Sequence, residues 1–361
     1  MAQFSISMVL KRLSKARIDL EWYAGKRILV SGGAGFIGSW LVEALVRLKA
    51  DVYVVDNLWR GSLDNLKNDE GSSFIDLQDH FFQADLQDFM AAKEVCERSN
   101  ADIIFHLADI VAGVDFVFAN EPFVFRVNNL INSNLFTAAG QSGVKRLVYL
   151  GTACSYPKNL QMQPGGTPLV EDQMYPADPE SAYGWSKLMG EYELELLGKF
   201  TQMQVAILRL HNVYGPRSIL SRKRSQVIPS LIRKTVCYPR EQLVVWGTGQ
   251  QTRDFIFVGD VVDAILRSGL NGMNQGVIQI ASGHETSLAE LASLIVKISE
   301  KEIPIEFDTS KPQGDRGRCG NYEKARRLLD WEVSTPLEEG LRYTYDWASE
   351  MINLQKVDLD D

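Results

Sequence analysis

Buried strands and amphipathic helices alternate along the chain from Lys26 onward. The first cycle runs from an apolar strand (Ile28 to Ser31) through a glycine-rich turn and a helix over about 36–48 to a second strand (Val52 to Val55). Further apolar runs, "HFFQAD", "ADIIFHLA", "KRLVYLG", "QVAILRL" and "GVIQIA", are separated by helical segments. Strands that are buried on both faces and linked by helices are typical of parallel sheets. The pattern therefore predicts an α/β fold with a doubly wound parallel sheet.

The pattern loosens after Asn212 into prolines, basic residues and short strands, and returns to helix at "VGDVVDAILRSGL" and "SLAELASLIVKISE". We therefore assign residues 25–210 with 252–282 to the doubly wound domain, and residues 211–251 with 283–361 to a smaller, interleaved C-terminal lobe. Residues 1–24 have basic residues inside an apolar pattern, which predicts an amphipathic helical extension and not a signal peptide.

The stretch "GGAGFIG" follows the first strand and opens a helix. Its three glycines allow a tight turn and bring a pyrophosphate close to the helix N-terminus, where backbone N–H groups favour negative charge. Asp56 follows the second strand, where a carboxylate binds adenosine ribose hydroxyls and repels a 2′-phosphate. This favours NAD over NADP, although Arg60 lies nearby, and a glycine turn without a ligand is the alternative. The predicted cofactor-binding residues are Gly32, Gly35, Phe36, Ile37, Gly38, Asp56, Asn57, Asp85, Leu86, Leu107, Ala108, Asn128, Tyr183 and Lys187.

Tyr183 and Lys187 stand four residues apart in "YGWSK", so on a helix both side chains lie on the same face. A phenol is a poor base at neutral pH, and a nearby ammonium helps by stabilising the phenolate. Such a pair suits removal of a proton from a sugar hydroxyl during hydride transfer. Tyr-x-x-x-Lys is also common on ordinary helices, so this spacing alone does not decide.

Composition limits the other classes of function. The formal net charge of −8 and the pI near 5.2 argue against a general nucleic-acid surface, although "SRKRS" (221–225) suits a small anion. The four cysteines are widely spaced, which suggests neither a zinc site nor a disulfide framework and favours a reducing cytoplasm. No apolar run is long enough for a membrane span, and the scattered histidines argue against a metal site.

Taken together, these motifs resemble those of the extended short-chain dehydrogenase/reductases that act on nucleotide sugars. The resemblance covers the chain from Lys26 to about Trp347 and includes "GGAGFIG", "DNLWRGSLDNL", "HLAD", "YGWSK", "LRLHNVYGPR", "WGTGQQTRDFIFVGDVVDA", "QGDRGR" and "ARRLLDWEVSTPLEEGLRYT" in the family order. It implies an NAD-binding Rossmann domain, a lobe that binds a nucleotide sugar, and a homodimer formed through the helices near 124–142 and 183–198.

The resemblance also implies roles for single residues. Thr152 would hydrogen-bond the sugar 4-hydroxyl, Tyr183 would be the base, and Lys187 would be its electrostatic partner. Asn212 would contact the nucleotide sugar, while Arg253 and Arg316 would bind the diphosphate and nucleoside, because guanidinium groups suit phosphate oxygens.

Cys154 distinguishes this sequence within the family. Family members that eliminate water or carbon dioxide commonly carry a glutamate at this position, preceded in dehydratases by an aspartate that is Ala153 here. The sequence resembles the GDP-mannose 3,5-epimerases most closely at this point. A thiolate there can remove the C3 or C5 proton once C4 is a ketone. The partner acid in that group is a lysine after "YGP", for which Lys223 is the candidate, with Arg222 or Arg217 as alternatives.

These observations predict a redox-neutral epimerase of a nucleotide-activated sugar, of the 3,5-epimerase type. One alternative is a 4-epimerase of the UDP-glucose 4-epimerase type, in which Cys154 only packs; "DNLWRGSLDNL" looks more like that group. Another is a catalytically silent NAD-binding protein, against which Thr152, Tyr183 and Lys187 together argue.

Overall fold

A seven-stranded parallel sheet forms the centre of the part of the chain that the structure describes. The structure, a computed structural model, describes residues 3–15, 18–68, 70–111, 113–311 and 316–360. The strands are β1 Arg27–Ser31, β2 Asp51–Asp56, β3 Phe81–Gln83, β4 Ile103–His106, β5 Arg146–Thr152, β6 Gln204–Leu210, β7 Asn212–Tyr214, β8 Val244–Trp246, β9 Thr252–Phe257, β10 Val277–Ile280, β11 Glu285–Ser287 and β12 Glu306–Asp308. The central sheet has the strand order β3-β2-β1-β4-β5-β6-β10, so the predicted doubly wound parallel sheet is confirmed.

Helices follow most of these strands, as the alternating pattern predicted. They are α1 Ile6–Leu13, α2 Phe36–Arg47, α3 Phe89–Ser99, α4 Val114–Ala119, α5 Glu121–Gln141, α6 Ala182–Phe200, α7 Val227–Cys237, α8 Val258–Asn271, α9 Leu288–Ser299, α10 Glu323–Leu329 and α11 Leu337–Asn353.

The two faces of the sheet carry separate cores. Residues of α1, α2 and α8 pack on one face, in a cluster that includes Val30, Leu41 and Ile265 and continues into the C-terminal part of the chain. Residues of α3, α5 and α6 pack on the other face, around Leu29 and Leu135. Neighbouring residues of β1 belong to opposite cores because side chains alternate across a strand. This explains why its sequence is a continuous apolar run.

The strand order reverses at β1, which lies between β2 and β4. The chain builds one half of the sheet on the β2 side and then crosses over to β4. Ligands of open α/β sheets bind in the crevice outside the carboxyl ends of the strands at such a reversal. The glycine-rich turn follows β1 and the word "HLAD" follows β4, so both lie at this crevice.

Two small sheets lie outside the central sheet. One has the order β11-β9-β7 and the other pairs β12 with β8. Of the range 252–282 assigned above to the doubly wound domain, β10 joins the central sheet and α8 packs on it, whereas β9 belongs to the first small sheet. The division of the chain into two lobes at the stated residues stays a prediction.

The N-terminal segment contains the predicted amphipathic helix, α1, whose Ile6, Val9 and Leu13 are buried. Its Arg12 contacts Asp260 and Asp263 on α8 at 2.9 Å and 3.3 Å. Tyr23 then donates a hydrogen bond of 2.6 Å to the carbonyl of Leu266. The segment is therefore part of the core packing. Across the described ranges, every helix is too short or too polar to cross a bilayer.

Candidate active site

The glycine-rich turn between β1 and α2 has the form needed to hold a pyrophosphate. A Cβ at Gly38 would lie 2.2 Å from the carbonyl oxygen of Gly32, so a side chain there would push the turn away from the helix. Helix α2 begins at Phe36, and no side chain caps its N-terminal N–H groups. Phe36 and Ile37 are half-buried in this first turn. Uncapped N–H groups beside a tight turn favour an anionic ligand.

Acidic and amide side chains lie beside this turn at the ends of β2 and β3. Asp56 accepts hydrogen bonds from the backbone N–H groups of Ala34 (3.1 Å) and Leu58 (2.8 Å), and its burial raises its pKa. Asn57 donates to Asp85 at 3.4 Å. Carboxylate and amide oxygens here match the hydroxyls of an adenosine ribose, so the predicted residues fit the adenosine half of NAD.

The predicted cofactor residues after β4 are tied to the protein itself. The N–H groups of Leu107 and Ala108 donate to the hydroxyl of Ser31 at 3.1 Å and 3.3 Å. Asn128 on α5 accepts from the N–H of Ile110 at 2.7 Å and donates back to its carbonyl at 3.3 Å. Leu86 is buried after β3. These contacts fix the wall of the crevice, and direct contact of these residues with the cofactor stays a prediction.

Helix α6 brings Tyr183 and Lys187 to the end of β5. The hydroxyl of Ser181 accepts a hydrogen bond from the N–H of Gly184 at 3.3 Å and caps the helix. A Cβ at Gly184 would lie 2.2 Å from the carbonyl oxygen of Cys154, so only glycine lets the helix approach the cysteine segment this closely. Burial raises the pKa of Tyr183 well above its ordinary value; Cys154 and Asp109 add to the rise, while the Thr152 hydroxyl and Arg318 oppose it.

Lys187 is almost fully buried and contacts a carboxylate that the sequence analysis did not single out. Its ammonium donates to Asp109, and to the carbonyl of Leu150 at 2.6 Å. It also lies 4.7 Å from the centroid of the Tyr149 ring. Burial raises the pKa of Asp109 to about 6, although the charge of Lys187 opposes the rise. The sequence signal that could have identified Asp109 is an acidic residue directly after the "HLA" that ends a buried strand.

The thiol of Cys154 lies beside the guanidinium group of Arg318, to which the sequence analysis gave no role. Arg318 donates to the sulfur at 3.2 Å, and its side chain is held by Gln161. Burial raises the pKa of Cys154, but Arg318, the Thr152 hydroxyl and the charge of Arg253 outweigh burial, so the pKa lies below its usual value. Thr152 accepts a hydrogen bond from the N–H of Cys154 at 3.2 Å. The thiolate of Cys154 is therefore easier to form than that of an ordinary cysteine.

The predicted substrate residues lie in different environments. The Arg253 guanidinium donates to the carbonyl of Thr252 at 2.8 Å, and burial beside Arg318 lowers its pKa to about 10. Arg316 is exposed, and its carbonyl accepts from the N–H of Thr252 at 3.0 Å. Asn212 is half-buried at the start of β7. Residues 313–315 of the word "QGDRGR" lie outside the described residues.

The basic loop after β7 presents its residues in different directions. Lys223 is exposed. Arg222 pairs with Glu241 at 2.7 Å, and Arg217 pairs with Glu43 at 2.6 Å.

A neighbouring arginine of this loop turns toward the end of β2. Arg224 donates to the carbonyl of Trp59 at 2.9 Å, and Arg60 donates back to the carbonyl of Arg224 at 2.9 Å. Burial lowers the pKa of Arg60 to about 10, and the charge of Arg224 adds to the lowering. These reciprocal bonds join the loop to the wall of the crevice.

The arrangement combines a hydroxyl-oxidising set with an acid–base group for carbon. Thr152, Tyr183 and Lys187 surround the end of β5, and Cys154 follows Thr152 by two residues. A phenol supported by an ammonium suits proton removal from an alcohol. A thiolate next to a guanidinium suits proton removal from carbon that a ketone has acidified.

The chain is similar to known proteins over most of its length. Residues 28–281 match the NAD dependent epimerase/dehydratase family. The chain is 31% identical to the GDP-mannose 3,5-epimerase of Arabidopsis thaliana over 331 residues, which is 91% of this chain and 84% of that protein. It is also similar to the structure of UDP-glucose 4-epimerase with UDP-glucose from Thermotoga maritima, with a TM-score of 0.78 and 28% identity over 90% of this chain and 99% of that one. The UDP-glucose 4-epimerase complex with NAD from Thermus thermophilus has a TM-score of 0.76 at 25% identity, covering 89% and 98%.

Proposed function

Because the chain belongs to the NAD dependent epimerase/dehydratase family, we propose that it is a redox-neutral epimerase that exchanges the C3 or C5 hydrogens of a nucleotide-activated sugar. Its cofactor is NAD, which supplies the hydride acceptor for oxidation at C4 and returns the hydride afterwards. The proposal uses GDP-mannose 3,5-epimerase, one of the similar proteins, as its guide to the reaction type.

The contact between Cys154 and Arg318 is the observation that carries the proposal. A thiol that only filled space would need no guanidinium at 3.2 Å, and burial alone would raise its pKa. Here the neighbouring charges and the Thr152 hydroxyl lower the pKa instead. A carbon base must be ionised before it can act, so this environment suits proton removal at C3 or C5.

The chain's own groups then divide the work. Tyr183 takes the proton of the C4 hydroxyl, Thr152 orients that hydroxyl, and Lys187 supports the tyrosine. Arg253 and Arg316 bind the diphosphate, and Asn212 contacts the nucleotide sugar. We retain Lys223 as the acid for the opposite face of the sugar, because Arg222 and Arg217 are paired with carboxylates.

A 4-epimerase of the UDP-glucose type is the second candidate. It is favoured by the similarity of the fold to a UDP-glucose 4-epimerase over nearly the whole chain, with a TM-score of 0.78. In that reaction the 4-keto sugar rotates within the site, and the hydride then returns to its other face. Cys154 would then have no carbon proton to remove.

Deuterium labelling separates the two reactions. The protein is incubated with GDP-mannose, UDP-glucose and UDP-N-acetylglucosamine in deuterated water, and NMR locates any carbon-bound deuterium in the recovered sugars. Label at C3 or C5 supports the proposal. Inversion at C4 without carbon-bound label supports the 4-epimerase and refutes the proposal.

We also propose that the protein is a homodimer that works in a reducing compartment. The exposed apolar residues of α6, namely Met189, Tyr192, Leu196 and Phe200, repeat at the three- and four-residue spacing of one helical face. Phe123 and Leu130 on the adjacent α5 are also exposed. Two copies of such a surface can bury each other. All four cysteines are free thiols, which suits the proposed cytoplasmic location.

A further inference from the structure

Asp109 lies three residues beyond β4, at the crevice where the strand order reverses. Its side chain is 1% exposed. One carboxylate oxygen accepts a hydrogen bond from Lys187, and the other is buried without a hydrogen-bond partner among the described residues. Burying a carboxylate costs free energy unless it is paired, and pairing does not always repay that cost. An apolar residue at this position would leave the buried Lys187 ammonium without its counter-charge, so the carboxylate and Lys187 act as one unit.

Lys187 is held from two strands. Asp109 reaches it from beyond β4, and β5 provides the carbonyl of Leu150 and the ring of Tyr149. Two of the three ammonium protons are used by these oxygens. Asp109 therefore fixes where the ammonium stands relative to Tyr183, which lies one helical turn earlier on the same face of α6.

The charge of Asp109 also acts on Tyr183. Burial is the main reason why the pKa of Tyr183 is high, and the thiolate of Cys154 and the carboxylate of Asp109 raise it further. Asp109 raises the pKa of the adjacent Tyr149 as well. His106, on β4, is uncharged near neutral pH because burial and Lys187 lower its pKa to about 3. Lys187 and Asp109 are thus a nearly neutral pair, and the ammonium does not act on Tyr183 unopposed.

We propose that Asp109 is a positioning residue which holds Lys187 and offsets part of the positive charge that Lys187 presents to Tyr183. This deepens the proposed function, because it rests on Tyr183 as the base of the C4 oxidation. Without this carboxylate the ammonium would favour the phenolate more strongly, so Asp109 sets the pH range in which Tyr183 takes the proton of the C4 hydroxyl.

The test follows the ionisation of Tyr183 directly. The full-length protein is made with carbon-13 at Cζ of tyrosine, and the Tyr183 signal is assigned by its loss in Tyr183→Phe. Its chemical shift is titrated with pH in the cofactor-free protein, with NAD⁺ and with NADH. We expect Asp109 to raise the midpoint in all three states. In Asp109→Asn the midpoint with NAD⁺ should fall by about one pH unit or more, the size of a neighbouring-charge effect.

Controls separate charge from shape. Asp109→Glu keeps the negative charge and should keep the wild-type midpoint, and Asp102→Asn, at the other end of β4, should leave it unchanged. Asp109→Ala removes the charge in a smaller side chain and serves if the asparagine variant does not fold. An unchanged or raised midpoint in the charge-removing variants overturns the proposal. The titration needs no sugar substrate, so it can fail while the labelling experiment succeeds, and the reverse.

Discussion

Two arginines of the word "RGR" differ in what they contact. The side chain of Arg316 is exposed, whereas Arg318 is 5% exposed and donates to the sulfur of Cys154. The family word contains both arginines, and the sequence analysis gave a role only to the first. Nothing in the sequence distinguished them, because this segment is irregular and has no periodicity to assign a facing. Their direction depends on the backbone path, which Gln161 helps to fix through contacts with both residues.

The first prediction concerns the ionisation of Cys154. Arg318→Gln removes the nearest positive charge, so the pKa of the thiol should rise and the thiolate fraction at neutral pH should fall. Iodoacetamide alkylation of Cys154, followed by mass spectrometry against pH, should shift to higher pH. Cys96 and Cys319 are buried with pKa values raised to about 12, so they should react slowly. Arg316→Gln is the control, and an equal shift in that variant would contradict the assignment.

Tyr183→Phe should suppress C4 oxidation by roughly 100-fold or more, because it removes the positioned base while leaving the ring. The measurement is the rate of bound NADH formation, followed by absorbance in a single turnover. Tyr192→Phe, on the exposed face of the same helix, should react at the wild-type rate. Lys187→Ala should also slow the step. Normal NADH formation by Tyr183→Phe would exclude it as the base.

At the scale of elements, the sheet was predictable and the approach of the loops was not. The buried strands are apolar runs between glycine-rich turns, so their order of appearance and parallel pairing follow from period and helix spacing. Asp109 stands just past such a run, and only the crossover from β3 to β4 and the pairing of β4 with β5 bring it next to Lys187, 78 residues away in sequence. Arg224 likewise reaches Trp59 only after the chain folds.

The N-terminal segment should contribute measurably to stability. The ring of Phe4 lies 4.8 Å from those of both Trp40 and Phe257, between α2 and α8. Phe4→Ala leaves a cavity there and should lower the free energy of unfolding by about 3 kcal/mol. Met8→Ala, on the exposed side of α1, should change it by less than about 0.5 kcal/mol. Urea denaturation of both variants provides the comparison, and equal midpoints would show that Phe4 packs loosely.

At the scale of the whole molecule, the exposed face of α6 should mediate self-association. The opposite face of this helix carries Tyr183 and Lys187. A dimer through α5 and α6 would therefore pack against the helix that positions these two residues. Tyr192→Glu with Leu196→Glu places charges in that face and should convert a dimer into a monomer in sedimentation velocity. Met90→Glu, at an apolar position on α3 that is more exposed than either, should remain a dimer. A monomeric wild-type protein would contradict the proposal.

The most direct test of the central claim separates oxidation at C4 from proton exchange at carbon. Cys154→Ala leaves Thr152, Tyr183 and Lys187 in place and should cost at most about 1 to 2 kcal/mol of stability. The reaction is run in deuterated water with a nucleotide sugar that the wild-type protein converts. Cys154→Ala should form bound NADH but incorporate no deuterium at C3 or C5. The Cys237→Ala control should form bound NADH and also incorporate deuterium. Wild-type rates of exchange or turnover in Cys154→Ala would show that the thiol only packs, and would contradict the account.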